Sequence, residues 1–280
     1  MSPSMTLPPL LARPPVLTLD VQQALQAAGN GMVECSLDLG RTRVTVAVDA
    51  EGWYFQGQRY PFMRQCKERT IYYWDGESFE PVSRYGRSLI KLVPTEWGAP
   101  TFEIDGIKML PSAQLSPYED ARRKVELIQP GGKAILDCCG GLGYFASWCL
   151  QGQARQITSF EKNPDVIWLR SLNPWSPVEG GAFTLFNDDV SKRIGSLPDQ
   201  SFDAILHDPP RFGIAGELYS QVFYNELARV LKRKGRLFHY TGTPNKLTSG
   251  RDVPREVAKR LQQAGFTTDI VGDGVLAIKR

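Results

Sequence analysis

Apolar and polar positions change their rhythm twice along this chain. Residues 19–28 (LDVQQALQAA) have the spacing of a short helix, stopped by Gly29-Asn30-Gly31. Short runs rich in Val, Ile, Tyr and Phe follow at 32–39, 42–49, 52–56, 70–74, 88–93 and 101–104, separated by Gly, Asp and Pro. The alternation is clear in TRVTVAV, where Val44, Val46 and Val48 share one face, so the region to about residue 112 is predicted as an antiparallel β-domain. From Pro117 helix and strand alternate. PYEDARRKVELI reads as a helix, and 133–137, 156–161, 182–186, 202–207 and 235–240 read as strands. The best helix is 220–231, with Val222, Phe223, Leu227, Val230 and Leu231 at helical spacing and a stop at Lys232, Arg233, Lys234 and Gly235. The tail FTTDIVGDGVLAIKR reads as a hairpin about Gly272-Asp273-Gly274 with an antiparallel last strand. The expectation is an α/β protein: a proline-rich leader (1–18), a β-rich domain with a leading helix (19–112), and a domain with a parallel sheet (113–280).

Composition narrows the class only modestly. An apolar fraction of 42% and a charged fraction of 22% are those of an ordinary globular protein. No apolar run reaches the roughly 20 residues of a membrane span, so no membrane partner is expected. The net charge of +3 does not single out nucleic acid and leaves it open. Arg122-Arg123-Lys124 and Lys232-Arg233-Lys234 read as solvated helix faces. The five cysteines show no zinc-like spacing, and an odd number with two adjacent points to reduced thiols and a cytoplasmic location. MSPSMTLPPLLARPPV lacks the basic and apolar regions of a signal peptide.

The chemistry concentrates at the strand ends. AILDCCGGLGYFASW (134–148) is a strand ending in Asp137, then a turn with Gly140, Gly141 and Gly143, then an apolar helix. Such a turn brings backbone N–H groups close to a ligand at a helix N-terminus. The second strand ends in Glu161, about 20 residues on, where an acid accepts from ribose hydroxyls. The third ends in Asp188 and Asp189, either able to accept an adenine amino group, although Asp189 also suits a helix N-cap. The fourth ends in His207-Asp208-Pro209-Pro210-Arg211. Acids at four strand ends in succession are costly to bury without a partner, which favours a ligand site. The glycines form G-x-G-x-x-A, which leaves a dinucleotide open.

The spacing D-x-x-x-G-x-G resembles motif I of the Rossmann-like S-adenosylmethionine methyltransferases. Residues 103–240 are similar to the spermidine synthase and methyltransferase superfamily, which joins an N-terminal β-domain to a Rossmann-like domain. EIDGIKMLPSAQLSPYEDA resembles the aminopropyltransferase pattern, keeping Asp105-Gly106 and Tyr118, and GIAGELYSQVFYNELARVL resembles the stretch after its catalytic strand. HDPPRF, AGELYS and GRLFHY resemble an uncharacterised, largely archaeal group of predicted methyltransferases. Leu142 replaces the motif-I acid of aminopropyltransferases, Met109 and Glu119 replace a Gln and a His, and Arg211 replaces a second strand-end acid.

The resemblance therefore implies a seven-stranded class I methyltransferase domain. S-adenosylmethionine would be held by Asp137, Gly140, Gly141, Gly143, Glu161, Asp188 and Asp189. Asp208 would accept a hydrogen bond from the methyl acceptor, with His207 as a second catalytic candidate. His207 and His239 are the only histidines, too few to argue a metal. Tyr118, Arg211, Phe212 and Tyr219 would line the acceptor side, and Arg211 suits an anionic small molecule or a nucleotide. A uridine-C5 methyltransferase would need a catalytic Cys where this chain reads HYTGTP. The acceptor stays unidentified, and the relatives' habit of association makes a homodimer an expectation. Two other readings stay open: an aminopropyltransferase using decarboxylated S-adenosylmethionine, and a non-catalytic nucleotide-binding scaffold.

Overall fold

The structure is a computed structural model and describes residues 13–210, 215–242 and 252–280. Two compact units emerge, one formed by the described residues through Pro117 with Ser171–Trp175, the other by Tyr118–Arg170 with Ser176–Arg280.

In the first unit, β1 (Val16–Leu17) precedes α1 (Leu19–Ala27), and β2 (Gly31–Cys35), β3 (Val44–Val48), β4 (Gly52–Phe55) and β5 (Gln58–Pro61) form one antiparallel meander. Next come β6 (Tyr72–Trp74) and β7 (Phe79–Pro81), then β8 (Ser83–Tyr85), β9 (Leu89–Val93), β10 (Thr101–Ile104) and β11 (Ile107–Lys108) as a second four-stranded sheet. Leu17, Leu25, Val46 and Val48 pack with Trp53, which stacks on Tyr60 at 4.5 Å between ring centres. The expected leader is shorter than residues 1–18: Val16 and Leu17 are buried and pair with Tyr73 and Tyr72 as a strand. Residues 1–12 lie outside the described part. Strands β5, β7, β8 and β11 were not expected, being short and largely exposed. Two are placed by their turns, Gln56-Gly57 and Asp105-Gly106, whose paired positive φ angles are those of two-residue hairpins.

The second unit contains α2 (Pro117–Ile128, whose first residue belongs to the first unit), β12 (Ala134–Asp137), α3 (Tyr144–Gln151), β13 (Gln156–Phe160) and α4 (Pro164–Leu172, whose last two residues belong to the first unit). After these come β14 (Phe183–Phe186), α5 (Val190–Arg193), β15 (Phe202–His207), a 3-10 turn (Gly216–Tyr219), α6 (Gln221–Val230) and β16 (Leu231–Tyr240). The described chain closes with α7 (Val253–Gln263), β17 (Phe266–Val271) and β18 (Gly274–Lys279). The seven strands lie in the order β14-β13-β12-β15-β16-β18-β17, parallel from β14 to β16, with β18 antiparallel to both its neighbours. This is the expected Rossmann-like sheet, including the closing hairpin. Strand order reverses beside β12, which pairs with β13 on one side and β15 on the other, so the crevice where ligands bind such sheets opens between Asp137 and Asp208.

Helix α6 ends one residue early, and Leu231 already belongs to β16. Lys232–Lys234 is therefore strand, not a helix C-terminus. The pairing of Phe202 with Leu231, followed by a register shift to Ala204 with Arg236, outweighs the local stop signal, and Lys234 takes a positive φ in the bulge.

Candidate functional site

Strand β12 is buried along its length and delivers Asp137 into the interior. Ser159, its register partner on β13, donates to Asp137 Oδ2 at 2.8 Å, the Cys139 N–H also acts on the carboxylate, and Oδ1 has no well-aligned hydrogen-bond partner among the described residues. Burial pushes this carboxyl up to about 6. The turn that follows is tight: Gly140 N–H donates to Phe160 O at 2.8 Å and Gly143 N–H to Gly140 O at 2.7 Å. Gly141 and Gly143 both have positive φ, and Gly143 is the N-cap of α3 with no side chain capping the helix. The amides of the first helical turn thus face a crevice that holds a buried carboxylate.

Glu161, immediately after β13, closes this ring. Its Oε2 accepts from Gly141 N–H at 2.9 Å and its Oε1 from Asn163 N–H at 2.8 Å, and burial raises its carboxyl above the ordinary range. Each carboxylate oxygen keeps a lone pair for a further donor. The structure thus brings Asp137, Gly140, Gly141, Gly143 and Glu161 together as expected.

Sequence reasoning missed the group beneath them. Arg170 is 3% exposed, and a Cβ at Gly143 would lie 2.4 Å from its guanidinium. A Cβ at Gly140 would meet Ser159 Oγ at 2.4 Å and Arg170 at 3.2 Å. Gly140 leaves room for Ser159 Oγ, and Gly143 leaves room for the Arg170 guanidinium that fills the floor of the turn. Its charge opposes the burial that raises Asp137 and Glu161. Val166, Leu169 and Arg170 share the buried side of α4, so a charge at helical spacing with apolar residues was the available signal.

The third strand end divides its two acids. Asp189 caps α5, accepting from Ser191 N–H at 3.0 Å, and pairs with Lys162 at 2.9 Å. Asp188 is the more exposed and pairs with Arg193 at 3.2 Å, which leaves it the freer of the two for a ligand.

Asp208 sits at the end of β15, and burial pushes it up to about 6 while the Lys124 ammonium, 4.0 Å away, pulls the other way. His207 does not join it as a base. Its ring is buried, Nε2–H donates to Leu218 O at 3.1 Å, and burial holds it neutral with a value down to about 4. It packs edge-on against His239, whose Nδ1–H donates to Tyr240 O and whose Nε2 accepts from the Tyr224 hydroxyl. Both histidines are core residues, because β15 and β16 are central strands whose side chains here point into the packed layer.

Tyr118 also departs from its expected role as a pocket wall. Its hydroxyl is bonded to Ser147 and Gln151 of α3, and its ring packs on Tyr144 and Trp148. Tyr219 does lie beside the strand end: its hydroxyl donates to Pro210 O at 3.2 Å, and burial and then the Asp208 charge raise it above the ordinary phenol range. Arg211 and Phe212 lie outside the described residues. Lys124, read from sequence as part of a solvated basic face, is instead 3% exposed. No group of three or more metal-ligating side chains occurs among the described residues, and none of their helices is long and apolar enough to cross a membrane.

No family model matches the chain. Over 198 residues it is 44% identical to an uncharacterized protein of Methanocaldococcus jannaschii, a stretch covering 69% of this chain and 66% of that relative's length. Among solved structures it is similar to a spermidine synthase in complex with the transition-state analogue AdoDATO (16% identity, 78% of this chain and 82% of that one, TM-score 0.57). It is also similar to the spermidine synthase of Thermotoga maritima (15% identity, 78% and 81%, TM-score 0.55). At these identities the likeness is one of fold.

Proposed function

We propose that the protein is an S-adenosylmethionine-dependent methyltransferase. The observation that carries this reading is the buried Asp137, whose Oδ1 lacks a well-aligned partner among the described residues, beside a glycine turn where a Cβ at Gly140 or Gly143 would displace Ser159 Oγ or the Arg170 guanidinium. Loop amides, Asp137 and the remaining lone pairs of Glu161 suit a ligand carrying an ammonium group and a ribose diol. Asp188 would take the adenine amino group.

S-adenosylmethionine, when bound, supplies an electrophilic methyl group on a sulfonium. The protein's task is then to position the acceptor and receive its proton. Asp208 is the candidate for this role, and because burial pushes its carboxyl up to about 6, transfer is expected to rise as pH passes through that value. Asp208→Asn is expected to leave cofactor affinity intact and cut transfer by on the order of 100-fold or more. Labelled methyl incorporation into metabolite and RNA fractions from a deletion strain would measure this. Unchanged incorporation would remove Asp208 from the chemistry, and no incorporation by the native protein would favour the scaffold reading.

Aminopropyl transfer from decarboxylated S-adenosylmethionine is the second reading. It is favoured by the company Asp208 keeps, since Asp120 and Asp273 both act on it electrostatically. Against it stands Leu142, a buried apolar side chain where the aminopropyltransferase pattern places an acid. The same acids favour a neutral or cationic acceptor over the anionic one that Arg211 implies. Calorimetry with both cofactors separates the readings: tighter binding of S-adenosylmethionine is expected, and tighter binding of the decarboxylated form would reverse the choice.

A further inference from the structure

Helix α2 carries a lysine on its buried, apolar side. Ala121, Val125 and Ile128 are buried, and Lys124 shares their side of the helix. Its ammonium bonds Asp120 Oδ2 at 2.7 Å, one helical turn back, and lies 3.7 Å from the centre of the Tyr240 ring. Two fixed contacts on two elements leave this long side chain little freedom. The third neighbour is Asp208 Oδ2, at 4.0 Å.

We propose that Lys124 is a positioning residue for Asp208: held between Asp120 and the face of Tyr240, its ammonium keeps the Asp208 carboxyl in its charged form. The role of Asp208 rests on the methyl-transfer reading, whereas the pairing of the two side chains does not.

Among the described residues, Lys124 is the cation that bears on Asp208. Asp208 faces Asp120 on α2, Asp137 at the end of β12 and Asp273 in the β17–β18 turn, and it also acts on Cys139, Tyr219 and Tyr240. None of these adds a positive charge. The Asp273 turn is anchored there, since Thr241 N–H donates to Asp273 O at 3.0 Å. Burial and three neighbouring acids all favour the protonated carboxyl, and Lys124 alone among these groups opposes them. The coupling runs both ways: burial works against the lysine's charge, yet Asp208, Asp120 and Asp273 hold it above the ordinary lysine range.

The test needs neither cofactor nor acceptor. Aspartate carboxyl carbons labelled with carbon-13 would be titrated by NMR in the native protein, with Asp208 assigned from the signal missing in Asp208→Asn. Lys124→Gln removes the charge but keeps an amide that can donate to Asp120. Its Asp208 midpoint is expected to rise by about one unit or more, as loss of an opposite charge at this range predicts. Lys124→Arg is expected to hold the midpoint near its native value. An unmoved midpoint in folded Lys124→Gln would overturn the proposal, and so would an Arg variant that shifts as far as Gln. Should Lys124→Gln not fold, the reciprocal measurement decides, because Asp208→Asn must lower the titration of the Lys124 amine. An unmoved Lys124 would then overturn it. Failure to bind S-adenosylmethionine would end the methyl-transfer reading without altering any of these midpoints.

Discussion

Gly143→Val is expected to weaken S-adenosylmethionine binding by on the order of 100-fold or more, about 2.8 kcal/mol of affinity, and to lower the melting temperature. Two effects combine. The backbone at Gly143 has φ of +80°, and a β-branched residue held there costs roughly 1–3 kcal/mol. The new Cβ also stands 2.4 Å from the Arg170 guanidinium. Arg170 cannot swing aside cheaply, because it is buried against acids whose charge it offsets. Either the arginine moves and leaves Asp137 and Glu161 less compensated, or the turn opens and the amides lose their aim. Gly141→Ala is the control. Its Cβ meets nothing within 4 Å, so only the cost of a positive φ remains, roughly 1–2 kcal/mol. Calorimetry and thermal melting of both variants would check this. Native affinity in Gly143→Val would mean that the turn is not the cofactor site.

Arg170→Met is expected to destabilise the protein by about 3 kcal/mol at pH 7.5 and by much less at pH 4. The sign follows from the acids it faces. Burial lifts Asp137 from 3.8 to about 6, so its folded form prefers the proton. For an acid raised in this way, the stability tied to protonation is fully present below the unfolded value near 4. It is lost as pH rises through the folded value near 6. Arg170 limits that loss, and Glu161 is raised from the same cause and relieved by the same charge. Without the guanidinium both carboxyls rise further, and the added cost appears only where they are ionised. At pH 4 both carboxyls are largely protonated in the folded chain with or without the guanidinium, which leaves the packing change alone. Urea unfolding at the two pH values would show the difference, and an equal loss at both would assign Arg170 a purely steric role.

Much of this site was written in local sequence. The run from Asp137 to Gly143 announces a strand, a turn and a helix through residues that are neighbours in the chain. Glu161 and Asp208 follow at strand ends that apolar runs mark out, and a parallel sheet must bring such ends to one edge. The Asp105-Gly106 hairpin was not read from sequence, although both residues take positive φ there and form a two-residue turn. Reading became unreliable where pairing across space set the outcome. Leu231 continues into β16 because β15 offers it a register partner, although the following Lys-Arg-Lys-Gly suits a helix end.

The charged residues divide in the same way. Acids after strands are conspicuous because the strand before each of them is apolar. Lys124 stands beside the exposed Arg122 and Arg123, and Arg170 lies in a helix that also carries Asp165, so residue names alone do not separate a buried cation from an exposed one. In the second unit, sequence by itself determined the alternation of strands and helices, the parallel sheet with its closing hairpin and the acids at its edge, all set by backbone propensity and apolar period. Only the tertiary structure decided which cations meet those acids, which histidines are core, and hence which carboxylates remain ionised. Those outcomes depend on burial and on charges a few ångströms apart, and both come from packing between segments distant in the chain.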